Sequence, residues 1–317
     1  MTETTRAVVV DPASNERLAI RSVPLAPAYR DEVTVRVRAI SLNRGEVNRA
    51  VRSAEAGWRP GWDFAGTVEV LAPNGTGPAP GTRVVGILPS GAWAETIRVP
   101  SDCVAALPDG VTDAQAATLP VAGLTALHAL RQGGMLLGKK VLIDGASGGV
   151  GHMACQLAAA SGALVYGHVR NPAFQAMVAQ WCGERTIVAP DLSAAAASGP
   201  YHLILDSVGA SALGAALGML RPDGTCVTFG VSEGAQATFD SGAFFRSGGS
   251  RLYGLVLFPE LRKVEPASEG LAILAAMIAA GTLKPVIEIE APWTEIGAVA
   301  RQLLDRSFMG KAVLRVG

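Results

Sequence analysis

Residues 141–158, VLIDGASGGVGHMACQLA, carry the spacing in this 317-residue chain that most plainly could do chemistry. Gly145, Gly148, Gly149 and Gly151 form a G-x-x-G-G-x-G turn behind the apolar triplet VLI. Val150, Met153, Ala154, Leu157 and Ala158 then recur at the spacing of one helix face. Glycine lets the backbone turn sharply and lets a pyrophosphate reach main-chain N–H groups at the start of that helix, an approach that side chains would block. A tight strand-to-helix connection would use the same residues, but strand, turn and helix in series favour a dinucleotide. An NAD site wants a carboxylate about 20 residues further on for the ribose 2′-hydroxyl. No Asp or Glu occurs between Asp144 and Glu184, and the next strand ends in Gly167-His168-Val169-Arg170-Asn171. Arg170 is either an exposed loop charge or the partner of a 2′-phosphate, whose geometry guanidinium matches, and the second reading makes NADPH the expected cofactor.

The turn needs a parallel sheet to hold it, and the pattern supplies one. Short apolar strands at 141–143, 164–169, 202–206, 225–230 and 251–256 alternate with helical stretches such as QAMVAQWC and SALGAALGML, which predicts a doubly wound α/β sheet. The first third is different. EVTVRVRAI (32–40) alternates apolar and polar residues as a half-buried strand does, and strands at 66–71, 83–87 and 92–99 follow, separated by Gly- and Pro-rich turns. That predicts an antiparallel barrel or sandwich. Beyond residue 256 a helix (267–280), a strand (286–290), a helix (294–306) and a terminal strand, AVLRV, could extend either domain.

Composition narrows the partners. Lys plus Arg and Asp plus Glu number 27 each, so there is no overall field to attract nucleic acid or an anionic membrane. The N-terminus has no signal-peptide h-region, and the longest apolar run, GLAILAAMIAAG at 270–281, is too short for a bilayer. Cys103, Cys155, Cys182 and Cys226 are scattered and read as small buried hydrophobes. A cytoplasmic enzyme acting on a small molecule is the expectation.

Several motifs in order give the chain a family likeness. SLNRGEV (41–47), GWDFAGTV (61–68), GAWAETIRVP (91–100), LPVAGLTAL (119–127), DGASGGVG (144–151), DSVG (206–209), TFGVS (228–232) and GKAVL (310–314) resemble the motif series of the zinc-independent medium-chain dehydrogenase/reductases, in particular the quinone oxidoreductase (zeta-crystallin-like) branch. The resemblance implies a GroES-like catalytic domain at 1–118, completed by 256–317, and a Rossmann NADPH-binding domain at 119–255. It implies a homodimer formed through Rossmann edge strands, here RLYGLV. It also makes DGASGGVG the phosphate turn, with Ala146, Ser147, Gly148, Gly149, Val150 and Gly151 around the pyrophosphate. His168 and Arg170 then belong to the cofactor site, and Gly230, Ser232, Leu255 and Lys311 complete it, although Lys311 reads equally as a solvated strand-end lysine. Asn43 and Thr125 would position the nicotinamide or the substrate carbonyl.

Departures from the family pattern bear on mechanism. Zinc-dependent relatives have a G-H-E triplet where this chain has Gly61-Trp62-Asp63, and Ser41-Leu42-Asn43 offers no thiol. The four-cysteine structural-zinc lobe is missing from 85–95, so no metal is expected. Without a Lewis acid to acidify a hydroxyl, hydride transfer from NADPH to an activated C=C, as in a quinone, enone or enoyl-type intermediate, is the expected reaction. The family's acid is present as the longer Glu46, and its aromatic after the Asn is Arg44. Arg44 either faces the reacting groups, where it could bind an anionic substrate or hold an enolate, or is a surface charge. Trp58 and Trp62 in AGWRPGWD read as a pocket mouth or as core, and Phe174 stands where a second phosphate-binding lysine is expected. The alternatives are a tailoring reductase of an iminium or other pathway intermediate, and an NADPH-binding module with little turnover.

Overall fold

A computed structural model describes residues 3–317, the Asn15 side chain excepted. The chain divides into two compact units. One comprises the residues up to Leu124 together with Leu261–Gly317, and the other is Thr125–Glu260. The first seam falls inside the run of helical residues 119–131, six residues past the boundary expected from sequence.

The first unit is built on the strand Glu32–Ser41, whose Val33, Val35 and Val37 are at most 1% exposed. It pairs antiparallel with Asp63–Val70, Thr96–Pro100 and Lys311–Arg315. Ile287–Pro292 lies parallel to Lys311–Arg315, so the tail strands join this sheet (Val313 opposite Ser41) and not the parallel one. A hairpin of Thr4–Val10 against Leu18–Pro24 lies outside the strands expected from sequence. Its alternation is masked because Ala7 to Val10 are all buried. Phe64, Trp93, Ile40 and Leu42 fill the core, into which Trp293, Ile296 and Val299 of the tail also pack.

The second unit is a six-stranded parallel sheet in the order Thr186–Val188, Leu164–Val169, Lys140–Asp144, Tyr201–Asp206, Leu220–Thr228, Arg251–Gly254. The helix Gly149–Ala160 connects the strands Lys140–Asp144 and Leu164–Val169. The strand order reverses beside Lys140–Asp144, and in open α/β sheets that switch point is where ligands bind, beyond the carboxyl ends of the strands. The short first strand, Thr186–Val188, was not expected from sequence because its three residues are only half-buried. Cys155 and Cys182 lie in this unit as free, buried thiols with their sulfurs 3.8 Å apart. Among the described residues, no helix is long and apolar enough to cross a membrane.

Candidate active site

The glycine turn sits at the end of the strand Lys140–Asp144. Gly145 has φ +73°, a conformation L side chains rarely adopt. The Ala146 N–H donates to the His168 carbonyl (3.0 Å) and the Gly148 N–H to the Gly145 carbonyl (2.9 Å), which ties the turn to the neighbouring strand and to itself. Gly148 is the N-cap of the helix. A Cβ on Gly151 would lie 2.1 Å from the Gly145 carbonyl oxygen, so only glycine lets helix and turn approach this closely. The bare backbone at a helix N-terminus is what a pyrophosphate needs.

Beyond the strand ends lies a cavity of about 400 Å³, lined by Asp144, His168, Arg170, Asp191, Ser193 and Glu233 among others. Its size falls in the range of small-ligand sites, and Asp144, which opens the glycine turn, is one of its walls. His168 is buried, with Nδ1 2.8 Å from an Asp144 carboxylate oxygen and Nε2 3.1 Å from the Ala189 carbonyl. Both ring nitrogens are thus engaged, and His168 serves as wall and brace to this cavity. Arg170 stands at its rim, paired with Glu233. Gly230 and Ser232 follow the strand Leu220–Thr228, and the Leu255 N–H donates to Thr228 O (2.9 Å). Thr125 is buried near the start of the helix Leu124–Arg131. Asp206 of the DSVG motif accepts from the Val208 and Gly209 N–H groups (3.0 Å each) and from Thr228 Oγ1 (2.9 Å), a brace between adjacent strand ends.

The first unit holds a buried polar network. Asn43 Nδ2 donates to Glu46 Oε1 (2.9 Å) and Asp63 Oδ2 (2.8 Å), and Asn43 Oδ1 accepts from Lys311 Nζ (2.6 Å). Lys311 Nζ also donates to Leu42 O (3.0 Å) and lies 3.4 Å from Asp63 Oδ2. The Val121 N–H donates to Asp63 Oδ1 (3.0 Å), and the Asn43 N–H to Glu46 Oε1 (3.0 Å), the Glu46 arm of a capping box for the helix Arg44–Arg52. Glu46, Asp63 and Lys311 are all at most 3% exposed. Burial, then the nearby Asp63 charge, pushes Glu46 well above the usual carboxylate range. Burial also raises Asp63, with Lys311 opposing the shift, and lowers Lys311, with Asp63 opposing. Burial thus works against every charge in the set, most strongly on Glu46, whose Oε2 has no hydrogen-bond partner. The solvated reading of Lys311 is corrected, since the ammonium is buried. Both N–H groups of the Asn43 amide, its backbone N–H and its backbone carbonyl are engaged inside the first unit.

Arg44 donates to the carbonyls of Leu303 (3.2 Å) and Leu304 (2.9 Å) at the C-terminus of the helix Ile296–Leu304. A cation there satisfies orphan carbonyls and complements the helix dipole. This half-buried guanidinium caps that helix through Nη1. Trp58 packs on the core with the Arg49 guanidinium 4.5 Å above its ring. Trp62 Nε1 donates to Pro89 O (3.0 Å) and offers no lone pair to a metal. Before it, Gly61 at φ +120° brings the chain so close to Trp93 that a Cβ would meet its backbone nitrogen at 2.2 Å. Among the described residues, no group of three or more His, Cys, Asp or Glu could hold a metal ion.

Two family models match in domain order: the alcohol dehydrogenase GroES-like domain over residues 29–109 and the zinc-binding dehydrogenase domain over 149–267. The chain belongs to the medium-chain dehydrogenase/reductase family. The family is one of nicotinamide-dependent oxidoreductases, and the glycine turn and its cavity are the parts such an enzyme requires. The spectinabilin polyketide synthase system protein NorB of Streptomyces orinoci is 32% identical over 300 residues, a match covering 92% of this chain and 13% of that protein. The chain thus spans a small part of the curated polyketide synthases it matches, 6% in the case of the pikromycin component PikAII of Streptomyces venezuelae. The quinone oxidoreductase of Pseudomonas syringae is 25% identical with a TM-score of 0.85, covering 98% of this chain and 99% of that one. CurK enoyl reductase shares the fold at 21% identity, with a TM-score of 0.85 and coverage of 99% and 100%.

In this medium-chain dehydrogenase/reductase, sequence reasoning missed Asp63, Asp191, Ser193 and Glu233. Asp63 had a visible signal, a carboxylate opening an otherwise apolar strand, DFAGTV. Asp191 caps the short 3-10 helix Leu192–Ser198, Ser193 lies in its first turn, Glu233 lies on a loop, and only the folded strand ends bring them to Arg170.

Proposed function

We propose that this chain is an NADPH-dependent reductase of an activated C=C, with an enoyl thioester or enone as the preferred class and quinones as further acceptors. The observation that carries the cofactor reading is Arg170 standing at the rim of the strand-end cavity, one residue past the end of the strand Leu164–Val169, where NAD sites place a carboxylate. The thioester class is supported by the polyketide synthase and enoyl reductase relatives. When bound, the dinucleotide supplies a hydride from nicotinamide C4 to the β-carbon of the acceptor.

The protein's work is binding and orientation. The N–H groups around Gly148–Gly151 hold the pyrophosphate, and Arg170 holds the 2′-phosphate. Thr125 and Leu255 contribute to the nicotinamide end, and the proton that completes the reduction comes from solvent or a nearby acid. The Asn43–Glu46–Asp63–Lys311 network fixes the segment Leu42–Asn43 that the resemblance places beside the nicotinamide. Trp62 and Asn43, standing where zinc-dependent relatives carry His and Cys, leave the acceptor carbonyl without a metal to polarise it. Homodimer formation is supported by the open edge strand Arg251–Gly254, whose Leu252 is 46% exposed. NADPH oxidation at 340 nm tests the reading with a but-2-enoyl thioester, a simple enone and 9,10-phenanthrenequinone. Turnover is expected with at least one of them. Tight NADPH binding without turnover on any would instead favour a binding module.

A further inference from the structure

We infer that Glu233 sets the NADPH-over-NADH preference of this site by competing with the cofactor's 2′-phosphate for Arg170. The inference rests on the NADPH reading above.

The Arg170 guanidinium is not waiting in solvent but is paired with the Glu233 carboxylate. The main chain that carries that carboxylate is fixed. The Glu233 N–H donates to Val208 O (3.0 Å), and the next residue, Gly234, bridges to Gly209 and accepts from the Ala210 N–H (3.1 Å). Glu233 is thereby stitched to the start of the helix Ala210–Gly218 and faces Arg170 across the cavity mouth. The rest of the lining sharpens the competition. Three carboxylates, Asp144, Asp191 and Glu233, line the cavity with a single arginine, and Asp144 is already engaged with His168. A 2′-phosphate must take the guanidinium from Glu233 and then sit beside the displaced carboxylate, against like-charge repulsion. A 2′-hydroxyl carries no charge and can donate to a carboxylate, so NADH is spared both penalties. Because the two side chains are 41% and 36% exposed, the competition is modest in size but falls on one cofactor only.

Isothermal titration of NADPH and NADH into the wild-type chain, E233Q and R170Q tests this, with thermal melting confirming that the variants fold. E233Q is expected to tighten NADPH about fivefold while NADH changes by less than about twofold. R170Q is expected to weaken NADPH and leave NADH nearly unchanged. If E233Q leaves NADPH unchanged, or shifts both cofactors equally, while R170Q still weakens NADPH, the role of Glu233 is overturned and the NADPH reading stands. If the wild-type chain binds NADH more tightly than NADPH and R170Q affects neither, the NADPH reading falls and this inference with it.

Discussion

Burial and the adjacent Asp63 charge raise Glu46 further than Asn43 and Lys311 lower it. The sign of the resulting pH dependence follows. The folded chain holds a proton that the unfolded chain releases above the ordinary value of 4.5. The stabilisation is therefore complete below that value and is lost as the pH rises through the raised value of Glu46. E46Q should show a flatter fall in melting temperature than wild type between about pH 5.5 and pH 8.5, and parallel curves would contradict this protonation state. A second prediction concerns Trp62. Because an indole stands where an imidazole would ligate zinc, prolonged dialysis against a chelator should leave NADPH-dependent turnover unchanged, as an activity assay before and after will show. Asn43, Glu46 and Lys311 could be singled out in the sequence, but their meeting could not, since Lys311 is remote in the chain and only the return of the terminal strand brings it to Asp63. For Arg44 the residues left two directions open, and the structure adds that its Nη1 reaches the helix end at Leu303–Leu304.

The strand–turn–helix at 140–160 is the element most fully legible in sequence, because its glycines and its helical face are local. The structure adds why each glycine is needed. G151A would drive a Cβ into the Gly145 carbonyl. It should cost at least about 2 kcal/mol of stability by overpacking and remove the rise in melting temperature that NADPH gives wild type. A normal thermal shift in G151A would mean that the turn tolerates the methyl group and does not cradle the cofactor. At the other helix end described, R44A strips the cap from Ile296–Leu304 and should destabilise the chain by about 1–2 kcal/mol in urea unfolding. Turnover per folded molecule should persist, since the guanidinium is committed to carbonyls; loss of turnover with unchanged stability would restore Arg44 to the reaction. Less was legible where burial hides periodicity. The hairpin Thr4–Val10/Leu18–Pro24 reads as a plain apolar run, and Thr186–Val188 is too short to give a pattern.

At the scale of the molecule, alternation in the first third and strand–helix repetition after it suffice to separate a β-rich unit from a parallel sheet. The placement of the tail needed more than periodicity, because a strand such as AVLRV fits either sheet, and the family resemblance supplied the answer that the pairing of Val313 with Ser41 shows. The exposed edge strand Arg251–Gly254 gives a further test of the proposed homodimer: wild type is expected to sediment as a dimer and L252E as a monomer, and a monomeric wild type or a dimeric L252E would contradict it. The loops that close the strand-end cavity are where sequence was silent, since Arg170 and Glu233 are 63 residues apart in the chain. Hydride delivery by this molecule is tested most directly by incubating it with NADPH deuterated at C4, on each face in turn, and a but-2-enoyl thioester, and locating the label by NMR. Deuterium at the β-carbon from one face, with no metal added, is expected. Label that never leaves the cofactor, or transfers only once zinc is supplied, would contradict it.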